Sequence, residues 1–131
     1  MTYTTRTTVK ASDSELVVIT KARDICSYVL TITAKSPKRF RFTLATKLQN
    51  YALEAAEQMY LANEIYPSGE HKKEMAEQRH GHQDKAMAAL KMLGWLTHLA
   101  AEQGCILQKQ YETLAGMLYG CMKLLTAWKK L

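Results

Sequence analysis

The chain has 131 residues and a mass of 14.9 kDa, close to the commonest single-domain size, which argues against two full domains with separate cores. A hydrophobic fraction of 47% with 23% charged residues excludes intrinsic disorder, and six glycines and two prolines are too few for a sandwich or barrel that turns every 8–12 residues or so. Lys and Arg outnumber Asp and Glu by 18 to 12, a formal charge of +6 that favours polyanionic partners.

Residues 1–11 carry five threonines and no apolar periodicity, and they read as a flexible tail ahead of a domain over 12–131. Ser12 and Glu15 have capping-box spacing, so a first helix is expected to start there. It carries two adjoining apolar stripes: Leu16, Ile19, Cys26, Leu30, and beside them Val18, Ala22, Ile25, Val29, Ile32. Together they are wider than one seam requires. Arg23 falls between Ile19 and Cys26, which predicts snorkelling or a partner such as Glu54 or Glu57.

Pro37 ends this helix near Lys35. A second helix is expected from Lys38 to Tyr66, with Leu44, Leu48, Tyr51, Ala55, Met59 and Ala62 on its inner face. Pro67, Ser68 and Gly69 stop it, and Ser68 is placed to cap a third helix. That helix has a highly charged first half containing Gly81, then Ala86, Ala89, Leu93, Leu96 and Ala100 at core spacing. Gly104 supplies its end. The fourth helix has the cleanest pattern, Leu107, Tyr111, Leu114, Leu118, Cys121, Leu125 and Trp128. Four helices joined by short connections predict an all-α, antiparallel up-down-up-down four-helix bundle.

Catalytic chemistry finds little support in this pattern. A di-metal bundle site requires two Glu-x-x-His segments and two further glutamates. Only Glu77–His80 has that spacing, and His80 and His82 flank Gly81 on different helix faces. His71 and His98 are isolated. Cys26, Cys105 and Cys121 sit on apolar stripes without C-x-x-C spacing, as small hydrophobes in a reducing, cytosolic setting do. Tyr51, Tyr111 and Trp128 fall on core stripes. No apolar run reaches the roughly 18 residues of a membrane span, and the start lacks a signal-peptide core. A non-enzymatic cytoplasmic protein without cofactor or metal is expected.

The distinctive segment is a basic bend. Lys35, Lys38, Arg39 and Arg41 surround Pro37, and Lys47 follows one to two turns later. No acid occurs between Lys35 and Leu53, so positive potential suited to phosphate contacts concentrates there. Phe40 and Phe42 are placed either to stack on bases or to staple the loop into the core. Lys109, Lys123, Lys129 and Lys130 face only Glu112 and predict a second basic region at the opposite end.

The first helix, from Leu16 to Tyr28, leading into Pro37-Lys38-Arg39-Phe40-Arg41-Phe42, resembles the accessory variability determinant proteins of diversity-generating retroelements. Lys47 to Tyr51, Tyr60 to Asn63 and Lys109 to Glu112 extend the likeness over about residues 14–130. The wider superfamily includes bundle proteins encoded in intervening sequences of bacterial 23S ribosomal RNA genes. The resemblance implies a ring-like homopentamer that binds a reverse transcriptase and template RNA, or DNA, in support of mutagenic reverse transcription. On the charge pattern of the basic bend, Lys35, Lys38, Arg39, Arg41 and Lys47 would contact the nucleic acid. The alternatives are a bundle protein of that 23S intervening-sequence type, or a structural helical oligomer without a nucleic-acid role.

Overall fold

A computed structural model describes the backbone of residues 10–131, with side chains from Val17 onward. Four helices make up most of it: α1 (Lys10–Thr33), α2 (Thr46–Asn63), α3 (Lys72–Gln103) and α4 (Gln108–Lys129). No strand occurs among the described residues. Helix α1 packs on α2 and α4, and α3 packs on the same two, so each helix has two neighbours around one core. The expected tail and the side chains of Ser12 and Glu15 lie outside the described residues, and α1 begins ahead of Ser12, at Lys10.

One stripe of α1 builds the core. Val18, Ala22, Ile25, Val29 and Ile32 are buried, at alternating steps of four and three residues. The adjoining stripe does not follow it inward: Ile19 and Cys26 are half-buried and Leu30 is 48% exposed. The double-width face is therefore covered over only part of its breadth. Arg23 is exposed and forms no ion pair with Glu54 or Glu57 among the described residues. Helix α1 stops at Thr33, and a tightened turn carries the chain to Pro37 through bonds from Lys35 N to Ile32 O and Ser36 N to Thr33 O.

The expected single helix from Lys38 is three pieces. A 3-10 turn (Lys38–Phe40) and a π-helical stretch (Arg41–Ala45) precede α2. The cause is Phe40. In an unbroken α-helix phased on Leu48, Ala55 and Met59, position 41 falls on the core line and position 40 lies about 80° away from it. The wider π turn inserts one residue and rotates the preceding segment, so that Phe40 is buried and Arg41 exposed. At its other end α2 stops at Asn63 rather than Tyr66, because Glu64 N and Ile65 N bond back to Leu61 O and Ala62 O in a tightened last turn.

Ser68 does not cap α3. It precedes a 3-10 turn (Gly69–His71) and makes no side-chain cap bond, while Gly69 takes the left-handed φ of 74° that turns the chain. Helix α3 then runs unbroken through Gly81. Its neighbours hold it there: Arg79 lies over the Trp128 ring, His82 Nδ1 is 2.7 Å from Gln58 Oε1, and Asp84 pairs with Lys129. Gly104 ends α3 at φ 83°, with Cys105 N bonding to Ala100 O at 2.8 Å. On α4 the stripe from Leu114 to Trp128 is buried and Tyr111 half-buried. Leu107 is instead 66% exposed, because it precedes the helix, where its N–H donates to Gln110 Oε1 at 2.9 Å.

Candidate nucleic-acid interface

The α1–α2 and α3–α4 connections meet at one end of the fold. The hydroxyl of Ser36 donates to the carbonyl of Cys105 at 2.6 Å, and Gln49 Nε2 donates to Thr33 Oγ1 at 2.8 Å, holding the start of α2 against the end of α1. Thr33 in turn donates to Val29 O at 2.7 Å. These bonds anchor the backbone that carries the cations.

Lys35, Lys38, Arg39, Arg41 and Lys47 are all exposed, and none forms an ion pair among the described residues. Lys38 and Arg41 line a pocket of about 300 Å³ together with Ser36, Thr46 and Gln49. Lys35 faces a second pocket of about 290 Å³ between the bend and the α3–α4 connection, and Arg39 and Lys47 line neither. Arg39 Cζ lies 4.5 Å from the Phe40 ring centroid, and Lys47 Nζ lies 6.0 Å from that of Tyr51. The Arg39 guanidinium thus rests on a ring that is itself fixed in the core.

The two phenylalanines divide the roles considered for them. Phe40 staples the bend into the core; Phe42 is 84% exposed, the only large side chain of the bend free to stack on a base. The arrangement combines unpaired cations, one exposed ring and no carboxylate from Lys35 to Leu53. Chemically it can neutralise phosphates and release their counterions.

The four C-terminal lysines are not one region. Lys109 opens α4 beside the α3–α4 connection, at the end of the fold that carries the bend. Lys129 is engaged by Asp84, and Lys123 Nζ lies 5.3 Å from the Tyr119 ring. Lys123 and Lys130 line an open groove of about 600 Å³ between α3 and α4, with Met87, Lys91, Tyr119 and Met122. Sequence reasoning passed over this groove because its residues fall between the buried stripes. The recurrence of Tyr119, Lys123, Thr126 and Lys130 on the outer side of α4 was the available signal.

No group of three His, Cys, Asp or Glu side chains able to hold a metal occurs among the described residues. His80 is exposed, whereas His82 is half-buried against Gln58. His98 lies 5.2 Å from the Tyr111 ring centroid and 3.8 Å from Glu102. Burial pushes the Cys121 thiol up to about 11, helped by nearby Cys26, and burial also raises Cys26, which donates to Ala52 O at 3.2 Å. Thiols held protonated in this way are poor nucleophiles at neutral pH. None of the described helices is long and apolar enough to cross a membrane. No protein-family model matches the chain, and no curated protein or solved structure matches it significantly.

Proposed function

We propose that this chain is a non-catalytic RNA-binding subunit that works beside a polymerase, in the manner of the accessory proteins of diversity-generating retroelements that its sequence resembles. In this reading it binds the reverse transcriptase and the template RNA in the cytoplasm. It assembles with further copies of itself, as the five-membered ring the resemblance implies. The observation that carries the proposal is the basic bend: five exposed cations with no ion pair among the described residues, on a backbone tied down by Ser36 and Gln49, with no carboxylate in the segment. An up-down-up-down antiparallel order belongs to the same proposal. It is supported by pairings that run in opposite directions along α1 and α2 (Cys26 with Ala52, Thr33 with Gln49) and along α3 and α4 (Asp84 with Lys129, His98 with Tyr111).

A titration of the purified chain with structured RNA over a salt series tests the reading. Affinity should fall steeply and linearly on logarithmic axes as salt rises. Absence of RNA retention at low salt would leave only a structural oligomer, which the exposed Leu30, Trp95 and Tyr119 favour as the second reading.

A further inference from the structure

Two solvent-facing stripes of opposite charge remain once the core is set aside. On α2 and its C-cap, Leu53, Glu57, Tyr60 and Glu64 recur at steps of four, three and four residues and so share one face; all are exposed, Leu53 by 49% and Tyr60 by 57%. No lysine or arginine occurs between Lys47 and Lys72. On α4 and its C-cap, Tyr119, Lys123, Thr126 and Lys130 repeat the same steps, and no Asp or Glu occurs between Glu112 and Leu131. They form one wall of the α3/α4 groove, whose other wall carries Met87 and Lys91, with Trp95, 62% exposed, continuing it.

Among the described residues neither stripe finds its counterpart. Glu57, Glu64, Lys91, Lys123 and Lys130 form no ion pair among the described residues. Helices α2 and α4 occupy opposite corners of the fold, each flanked by α1 and α3, so one molecule cannot bring its own two stripes together.

We propose that the α3/α4 groove receives the α2 stripe of a second copy of this chain, in a head-to-tail interface. The proposal rests on the oligomeric part of the reading above and names the two faces that carry it. Leu53 and Tyr60 are apolar anchors seven residues apart, suited to a groove lined by Met87, Met122 and Tyr119. Glu57 and Glu64 are also seven apart, as are Lys123 and Lys130, so both pairs span about 10.5 Å of helix and meet in register. A polyanion would engage the lysines but leave the acidic stripe and the apolar lining without a role. Because the interface joins two different patches, every added copy leaves one of each open, which builds a ring or a filament rather than a closed dimer.

The test uses two charge reversals, Lys123→Glu with Lys130→Glu, and Glu57→Lys with Glu64→Lys, with mass measured by sedimentation at micromolar concentration and folding followed by circular dichroism. Each reversal should reduce the oligomer to folded monomers of 14.9 kDa. The chain carrying all four changes should reassemble to the wild-type mass, whereas an equimolar mixture of the two reversed chains should associate only in strict alternation, which cannot close a five-membered ring without one like-charged junction. Oligomers unchanged in both reversals would overturn this interface while sparing self-assembly, which would then run through another face such as that of Leu30. A wild-type monomer would overturn the interface and the oligomeric reading together, and abolished RNA retention with unchanged mass would give the groove to nucleic acid and overturn the interface alone. If a reversed chain melts early, restored mass in the four-change chain still supports the interface, and its failure to reassemble once folded counts against it.

Discussion

Ser36 and Cys105, 69 positions apart in sequence, are joined by a 2.6 Å hydrogen bond from the serine hydroxyl to the cysteine carbonyl. That bond pins the basic bend to the α3–α4 connection, so the cations are presented from a fixed backbone. Ser36→Ala removes it and leaves a partly buried carbonyl unsatisfied, at a cost of about 1–2 kcal/mol. Thermal unfolding should show the loss, and hydrogen exchange should rise at residues 34–40 more than in mid-α3. Unchanged exchange at the bend would mean that Phe40 and the Gln49–Thr33 bond anchor it without Ser36.

Phe40 and Phe42 should respond in opposite ways. Phe40→Ala empties a core position and should destabilise by about 3–5 kcal/mol. Phe42→Ala changes an exposed ring and should alter stability by no more than about 0.5 kcal/mol, while weakening single-stranded RNA binding by about 1–3 kcal/mol. Denaturant titration and RNA binding measured on both variants separate the two roles. Equal destabilisation would contradict the division.

Leu118 is 2% exposed at the middle of α4, and its Cδ1 lies 3.8 Å from the Cβ position above Gly94 on α3. Leu118→Ala should cost about 2–5 kcal/mol through reduced burial and a residual cavity. An unchanged melting temperature would show that the α4 stripe is not the core.

Burial pushes the Cys121 thiol up from its ordinary value of 9.0 to about 11 in the folded chain, because it disfavours the thiolate. Its contribution to stability is therefore complete below about pH 9 and is lost as pH rises towards 11. Over that window Cys121→Ala should show a flatter decline in stability than the wild type. At pH 8 the native thiol should react with iodoacetamide only after unfolding, and prompt labelling of the native chain would contradict its burial.

Helices and core were legible because their stripes are periodic: the inward positions of α2, α3 and α4 appear in the sequence as apolar residues at steps of three and four. The misreadings share a cause in tertiary competition with local pattern. Leu107 matches the α4 period but precedes the helix, and Leu30 matches a second α1 stripe that only partly meets the core. The π stretch at Arg41–Ala45 is invisible to a fixed period, because it exists to bring Phe40 inward against the phase of α2. At the candidate interface all five cations proved exposed, but their grouping was not legible: Lys38 and Arg41 share a pocket only because that inserted residue swings the bend. The α3/α4 groove needed two helices side by side before Lys91 and Lys123 became neighbours.

The most direct measurement of the central claim is the salt dependence of RNA affinity for the chain in which Lys38, Arg39 and Arg41 are all replaced by glutamine. These side chains are exposed, so the melting temperature should be that of the wild type. Binding should weaken to a similar degree for RNAs of different sequence, since phosphate contacts carry little base information. The slope of log affinity against log salt should flatten by roughly 2 to 3 units, about 0.7 to 0.9 for each phosphate that is no longer neutralised. A variant that keeps wild-type melting, wild-type affinity and an undiminished slope would show that the bend is only a solvated turn and would contradict the account.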